Sequence, residues 1–98
     1  MAEKEKTVSS VRWIKARVID EKDGIKIFEH VRAIRIKSPG SNLVIMLDYT
    51  PLLGKIIGDI TFLTEDDEIR YSGVDGYYKH LRNEFTLLIR ENGYSIGG

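Results

Sequence analysis

IRYSGVDGYYKHLRNEFTLLIREN, residues 69–92, decides how the chain folds. It reads as short extended segments in succession: a strand over 69–71, a Ser72-Gly73 turn, a strand over 74–81, a polar hairpin at Arg82-Asn83-Glu84, and a strand over 85–89. Glycine permits the positive φ of a tight turn, and Asn and Asp add local side-chain hydrogen bonds. Consecutive strands with tight connections make an antiparallel meander, a rigid platform rather than a catalytic loop. The function to look for is therefore binding.

Composition narrows the choice. The chain has 98 residues, 42% of them apolar, enough for one domain with one core. A domain this small buries a limited surface, so its stability is modest unless a partner covers part of it. Lys plus Arg and Asp plus Glu both number 15, a formal charge of zero. That argues against a general nucleic-acid or anionic-membrane surface, which needs a positive excess. The absence of cysteine excludes disulfides and thiolate metal sites and points to an intracellular home. The charged start, residues 1–6, is not a secretory signal, and no apolar run is long enough to cross a bilayer.

Residues 1–10 are polar and are expected to form a disordered tail, with the folded domain over 11–92 and a flexible tail over 93–98. Within the domain, apolar residues recur at a period near two. Ile14, Ala16 and Val18 share one face; Ile25 and Ile27 alternate with Lys26, Ile34 and Ile36 with Arg35 and Lys37, and Ile60 and Phe62 with Thr61. Phe85, Leu87 and Ile89 share one side. Each segment is thus expected to have one buried and one wet face. Val31 and Ala33 are out of phase with Ile34 and Ile36, which a bulge or a face swap near Ala33 would explain. Turn residues at Asp23-Gly24, Ser38 to Ser41, Gly54, Gly58-Asp59 and Glu65 to Asp67 punctuate the runs. Many short strands at regular spacing predict an all-β sandwich or barrel. The best helical candidate, 75–84, reads at least as well as a strand because of Gly76 and its tyrosine pair.

Candidate chemistry is sparse. His30 and His80 have no partner at metal-ligand spacing and no evident nucleophile, so both read as ordinary surface or half-buried histidines. Glu65-Asp66-Asp67-Glu68 has consecutive acids without the glycine of a calcium loop and reads as a solvated hairpin turn. Gly73 to Gly76 and Ser38 to Ser41 lack the lysine, hydroxyl and following helix of a phosphate loop. Tyr71, Tyr77, Tyr78 and Lys79 could form an aromatic-basic platform for single strands, but alternation turns Tyr77 and Tyr78 to opposite faces. One core tyrosine and one interface tyrosine is the simpler reading. The terminal Gly97-Gly98 matches the ending of ubiquitin-like modifiers and sulfur carriers, or is a plain flexible end. The carrier fold needs a long helix across a sheet, and no convincing amphipathic helix is present. No catalytic residue, cofactor or metal site is expected.

SPGSNLVIMLDYTPLL, residues 38–53, resembles a segment of the epsilon subunit of F-type ATP synthases (delta in mitochondria), where a glycine turn precedes L-G-I-x-P-G-H-A-P-L-L. Upstream, ARVIDEKDGIKIFEHVRAIRIKS fits that family's opening hairpin. Downstream, IIGDITFLTEDDEIRYSG fits its G-x-I-x-I strand, acidic turn and S-G-G turn, and NEFTLLI stands where the family has N-x-V-T-V-L. The resemblance spans 11–91. It departs where Leu47-Asp48-Tyr49 replaces Pro-Gly-His, where Val44 replaces the glycine of L-G-I, and where Val74 replaces the last glycine of S-G-G. It covers the family's N-terminal β-sandwich and not its helical hairpin.

The resemblance implies a flattened antiparallel β-sandwich of about eight to ten short strands. It implies a non-catalytic rotor module that docks onto a gamma-like stalk and c-ring-like membrane subunits and couples proton flow to ATP synthesis. The module would be cytoplasmic, peripheral to the inner face of the membrane and held there only through partner subunits, with no nucleic acid involved. By position, Gly40, Ser41, Asn42 and Leu43 map to the ring side, and Asp48, Tyr49, Thr50 and Pro51 to the gamma-facing side. Tyr49, beside Pro51 and Leu52, is the best anchor; the plainer reading makes Leu52 and Leu53 core and Tyr49 a half-buried turn residue.

Overall fold

The computed structural model describes residues 12–90 and 95–97. Its strands are β1 (Ile14–Asp20), β2 (Gly24–Ser38), β3 (Ser41–Met46), β4 (Leu52–Thr64), β5 (Glu68–Leu81), β6 (Glu84–Ile89) and β7 (Ser95–Gly97). The described residues contain no helix. The all-β expectation holds, and residues 75–84 are strand and hairpin turn. The strands hydrogen-bond in the order β1-β6-β5-β4-β2-β3, and β1 also pairs with β2, so five of them close a barrel.

Three strands are long because each runs through two sheets. The first sheet joins β3 to residues 33–38 of β2, 59–64 of β4, 68–71 of β5 and then β7. The second joins residues 52–58 of β4 to 74–81 of β5, then β6, β1 and residues 24–31 of β2. Counting each bent strand twice gives ten short segments, so the sandwich reading and the closed barrel describe one object. The β1–β6 pair is parallel; the other pairs are antiparallel.

Bulges make the bends. In β2 the register slips between Val31 and Ala33, where the sequence phase predicts it. In β4 and β5, Gly58 pairs with Val74 and Ile60 with Tyr71, so β5 carries one extra residue. Ser72-Gly73 is therefore not a turn between two strands. Gly73, at φ 73°, takes the bulge conformation that glycine accepts, and the strand continues against the same neighbour. Opposite it, Gly58 sits at φ 154° with its Cα so close to the Lys37 carbonyl that a side chain would strike it.

The interior is aliphatic with an aromatic centre. Phe62 stacks on Phe28 (centroids 5.3 Å apart) and meets Tyr71 and Phe85 edge-on at 5.9 Å. Ile14, Ala16 and Val18 of β1, Ile34 and Ile36 of β2, and Phe85, Leu87 and Ile89 of β6 are buried as alternation predicts. Ile25 and Ile27 overturn that rule: they are 61% and 48% exposed, because their face of β2 looks away from the barrel. Expected tail residues 95–97 pair with β5 as β7; residues 1–10, 93, 94 and 98 lie outside the described residues.

Candidate interaction surface

The two loops singled out by position lie at opposite ends of β3, roughly 17 Å apart along the strand. At one end, Pro39-Gly40 closes β2 onto β3 between the paired Ser38 and Ser41, with Gly40 at φ 74°. Proline at the second position and glycine at positive φ in the third describe a type II turn. Gly40, Ser41 and Asn42 are exposed, and with Lys37, Gly58 and Asp59 they border a hollow of about 490 Å³. Leu43 is not part of that surface: it is half-buried and packs against the core.

At the other end, Asp48 sits at φ 64° in the β3–β4 loop. Its carboxylate accepts two hydrogen bonds from the Arg12 guanidinium, at 3.0 and 2.7 Å, and one from Asn83 Nδ2 at 3.0 Å. Its backbone N–H donates to Asn83 Oδ1 at 2.6 Å. Asn83 belongs to the β5–β6 turn, where Arg82 and Asn83 at φ 52° and 61° form the two-residue type I′ connection that suits a hairpin's twist. The Asn83 carbonyl in turn accepts from Lys15 N–H. Asp48 thus ties the loop to Arg12, two residues before β1, and to a second turn. The Arg12 and Asn83 contacts hold its carboxyl at about 2, against a usual 3.8. The sequence gives no sign of this clamp, since its members are 35 and 36 positions apart.

Tyr49, Thr50 and Pro51 are exposed beside the clamp, and Tyr49 N–H donates to the Met46 carbonyl. Pro51, Leu52 and Leu53 face Lys79, His80 and Leu81 across a mostly apolar hollow of about 360 Å³. Leu52 packs against the core, but Leu53, expected inside, is 81% exposed. The clamp fixes the backbone of the loop, so Tyr49 and Leu53 stand on a pre-formed surface.

His80 departs from its reading as a surface or half-buried group. It is fully buried opposite Leu52, its ring 6.3 Å from Phe85, and neither ring nitrogen finds a hydrogen-bond partner among the described residues. Burial pushes its pKa down, which keeps the ring neutral. His30 is exposed, 5.4 Å from the Trp13 ring and 3.4 Å from Glu65. Of the 65–68 acids, Glu65, Asp66 and Asp67 form the solvated β4–β5 turn, closed by Thr64 and Asp67, and Glu68 opens β5. The tyrosine platform does not assemble: Tyr71 is interior, Tyr78 stacks on Phe85, and Tyr77 faces out. Among the described residues no three His, Cys, Asp or Glu side chains group as a metal site, and no helix is long and apolar enough to cross a membrane.

No protein-family model and no curated protein matches the chain in sequence. Among solved structures, a chain in the cryo-EM structure of the Tetrahymena thermophila mitochondrial ATP synthase central stalk and c-ring superposes with a TM-score of 0.63. The match covers 83% of this chain and 67% of that one at 12% identity. The fold is shared with an ATP synthase central-stalk and c-ring assembly. At this identity the likeness is one of fold, and it accords with the all-β architecture read from the sequence.

Proposed function

We propose that this chain is a non-catalytic interaction module of the ATP synthase rotor type. On this reading it resembles an epsilon subunit docked on a gamma-like stalk and a c-ring-like membrane assembly, and helps couple proton flow to ATP synthesis. The observation that carries the proposal is the shared fold, a bent-strand sandwich also present in a central-stalk and c-ring structure. The surface chemistry supports it. The exposed turn at Gly40, Ser41 and Asn42 suits the ring side. Asp48, Tyr49, Thr50 and Pro51 offer a braced loop with an aromatic anchor for the stalk side. Leu53, beside that loop, extends the anchor. The reading places the protein in the cytoplasm at the inner face of the membrane, reached only through its partners, with no nucleic acid, cofactor or metal. The carrier alternative, with chemistry at Gly98, needs a helix laid across a sheet, and the described residues form no helix.

The test is co-purification from the native cell with a tagged chain. Gamma and c subunits should be enriched, and Tyr49→Ala should reduce that enrichment several-fold while leaving the circular dichroism spectrum unchanged. Recovery of no synthase subunit would end the rotor reading. Unchanged recovery by the Tyr49→Ala variant would remove the loop from the interface.

A further inference from the structure

The outer face of the second sheet belongs to neither loop, and its chemistry is unusual for a wet face. Side chains that pair across strands stand side by side there. One row runs Lys55, Tyr77, Leu88, Ile19, Ile25 through β4, β5, β6, β1 and β2. The next runs Leu53, Lys79, Thr86, Arg17, Ile27. Tyr77 is 45% and Leu88 47% exposed, and Ile25 and Ile27 are as open, so a band of apolar side chains meets water across the sheet. The outer face of the first sheet is more polar: its rows through β2, β4 and β5 hold Arg35, Thr61 and Arg70, then Lys37 and Asp59, and its exposed apolar side chain in these rows is Val44 of β3, beside Arg35.

Charge on this face leans positive although the chain is neutral. Lys15, Arg17, Lys55 and Lys79 share it with Glu84 and Asp75, with Glu29 at its edge two residues beyond Ile27, and Asp75 already stands 3.8 Å from Arg90. Among the described residues no carboxylate lies within ion-pair distance of the first four. Strands are about 4.8 Å apart, so the apolar run from Tyr77 to Ile25 is roughly 14 Å long, and the row bearing Lys79 and Arg17 lies about 7 Å to its side. A helix lying across the strands, about 10 Å wide, covers both rows at once.

We propose that this face docks an acidic amphipathic helix of another protein. Its aliphatic side chains lie over the Tyr77, Leu88, Ile19 and Ile25 row, and its carboxylates over Lys79 and Arg17. A membrane is the poorer occupant. Arg17 and Lys79 sit between Leu53 and Ile27 in their own row, so pressing the apolar residues into lipid would carry both cations inward, whereas a protein can place carboxylates opposite them.

The test is selection from a displayed library of helix-forming peptides on the whole protein, followed by amide chemical-shift mapping of the binders. We expect binders with aliphatic residues at helical spacing flanked by Asp or Glu, with shifts centred on Tyr77, Leu88, Ile19 and Ile25. Arg17→Glu with Lys79→Glu should weaken them roughly ten-fold or more, and Lys37→Glu on the other sheet should not. Well-dispersed spectra of both variants show that the fold is kept. Absence of any binder, binders without acidic side chains, shifts confined to the first sheet, or co-sedimentation with phosphatidylglycerol vesicles in place of peptide binding would each overturn the proposal. No synthase subunit enters this experiment, so its outcome is separate from that of the rotor reading.

Discussion

Asp48 and His80 show how single residues set this protein's response to acid, from opposite environments. Asp48 is a surface group held ionised by its partners, so its folded pKa, about 2, lies below the usual 3.8. The unfolded chain therefore binds the proton first. The stability that the clamp contributes is complete above about pH 4 and is lost as pH falls toward 2. Asp48→Asn should lower the melting temperature at pH 6 and converge on the parent near pH 2; a constant gap across that range would show that the clamp's charge is idle. His80 is a buried base whose neutral form is favoured, so its folded pKa also lies below the usual 6.5. Its contribution is intact above pH 6.5 and declines as acid protonates the unfolded chain. His80→Leu should flatten the fall in melting temperature between pH 7.5 and 5, and should stabilise at both ends, since two ring nitrogens without a partner among the described residues are removed from the core. A variant with the parent's pH slope would mean that another group carries it.

At the scale of the strand, the bends matter more than the straight parts. Gly58→Ala puts a methyl group against the Lys37 carbonyl at a φ that side chains rarely adopt, and backbone cannot swing aside as a flexible side chain can. We expect a loss of roughly 1–3 kcal/mol in urea unfolding. Gly40→Ala, with open space around its Cα, should cost less because only its positive φ is strained. Equal losses would deny the bend its special role. The elements themselves were legible in the sequence, because Ile14, Ala16, Val18 and Phe85, Leu87, Ile89 alternate cleanly. The acidic turn and the Val31–Ala33 bulge were legible too, one from composition and one from phase. Ser72-Gly73 was misread because a glycine at positive φ serves a bulge and a turn alike, and only the partner strand tells them apart. Ile25 and Ile27 were misread because alternation says which residues share a face, not which face is inside. The clamp among Arg12, Asp48 and Asn83 left no local trace, since two loops and the segment before β1 meet there only after folding.

For the whole molecule, closure joins an early strand to a late one. Lys15 of β1 lies beside Glu84 of β6, so the barrel is complete only when distant segments meet. Contacts between distant segments favour slow folding, in milliseconds to seconds for small β proteins. Because three strands thread both sheets, neither sheet has a complete set of strands of its own. Trp13, the sole tryptophan, lies next to β1 against His30 and reports on closure. Its fluorescence and the far-ultraviolet circular dichroism should trace a single coincident transition in urea. Two separate midpoints would mean that the sheets unfold independently.

The threading of β2, β4 and β5 through both layers also bears on load. In a sandwich whose layers are joined by loops alone, a shearing force is resisted by side-chain contacts and slack connections. Here, sliding one layer past the other draws on taut covalent backbone at three places at once, so the body should be stiff to shear and twist while its loops and outer faces remain open for attachment.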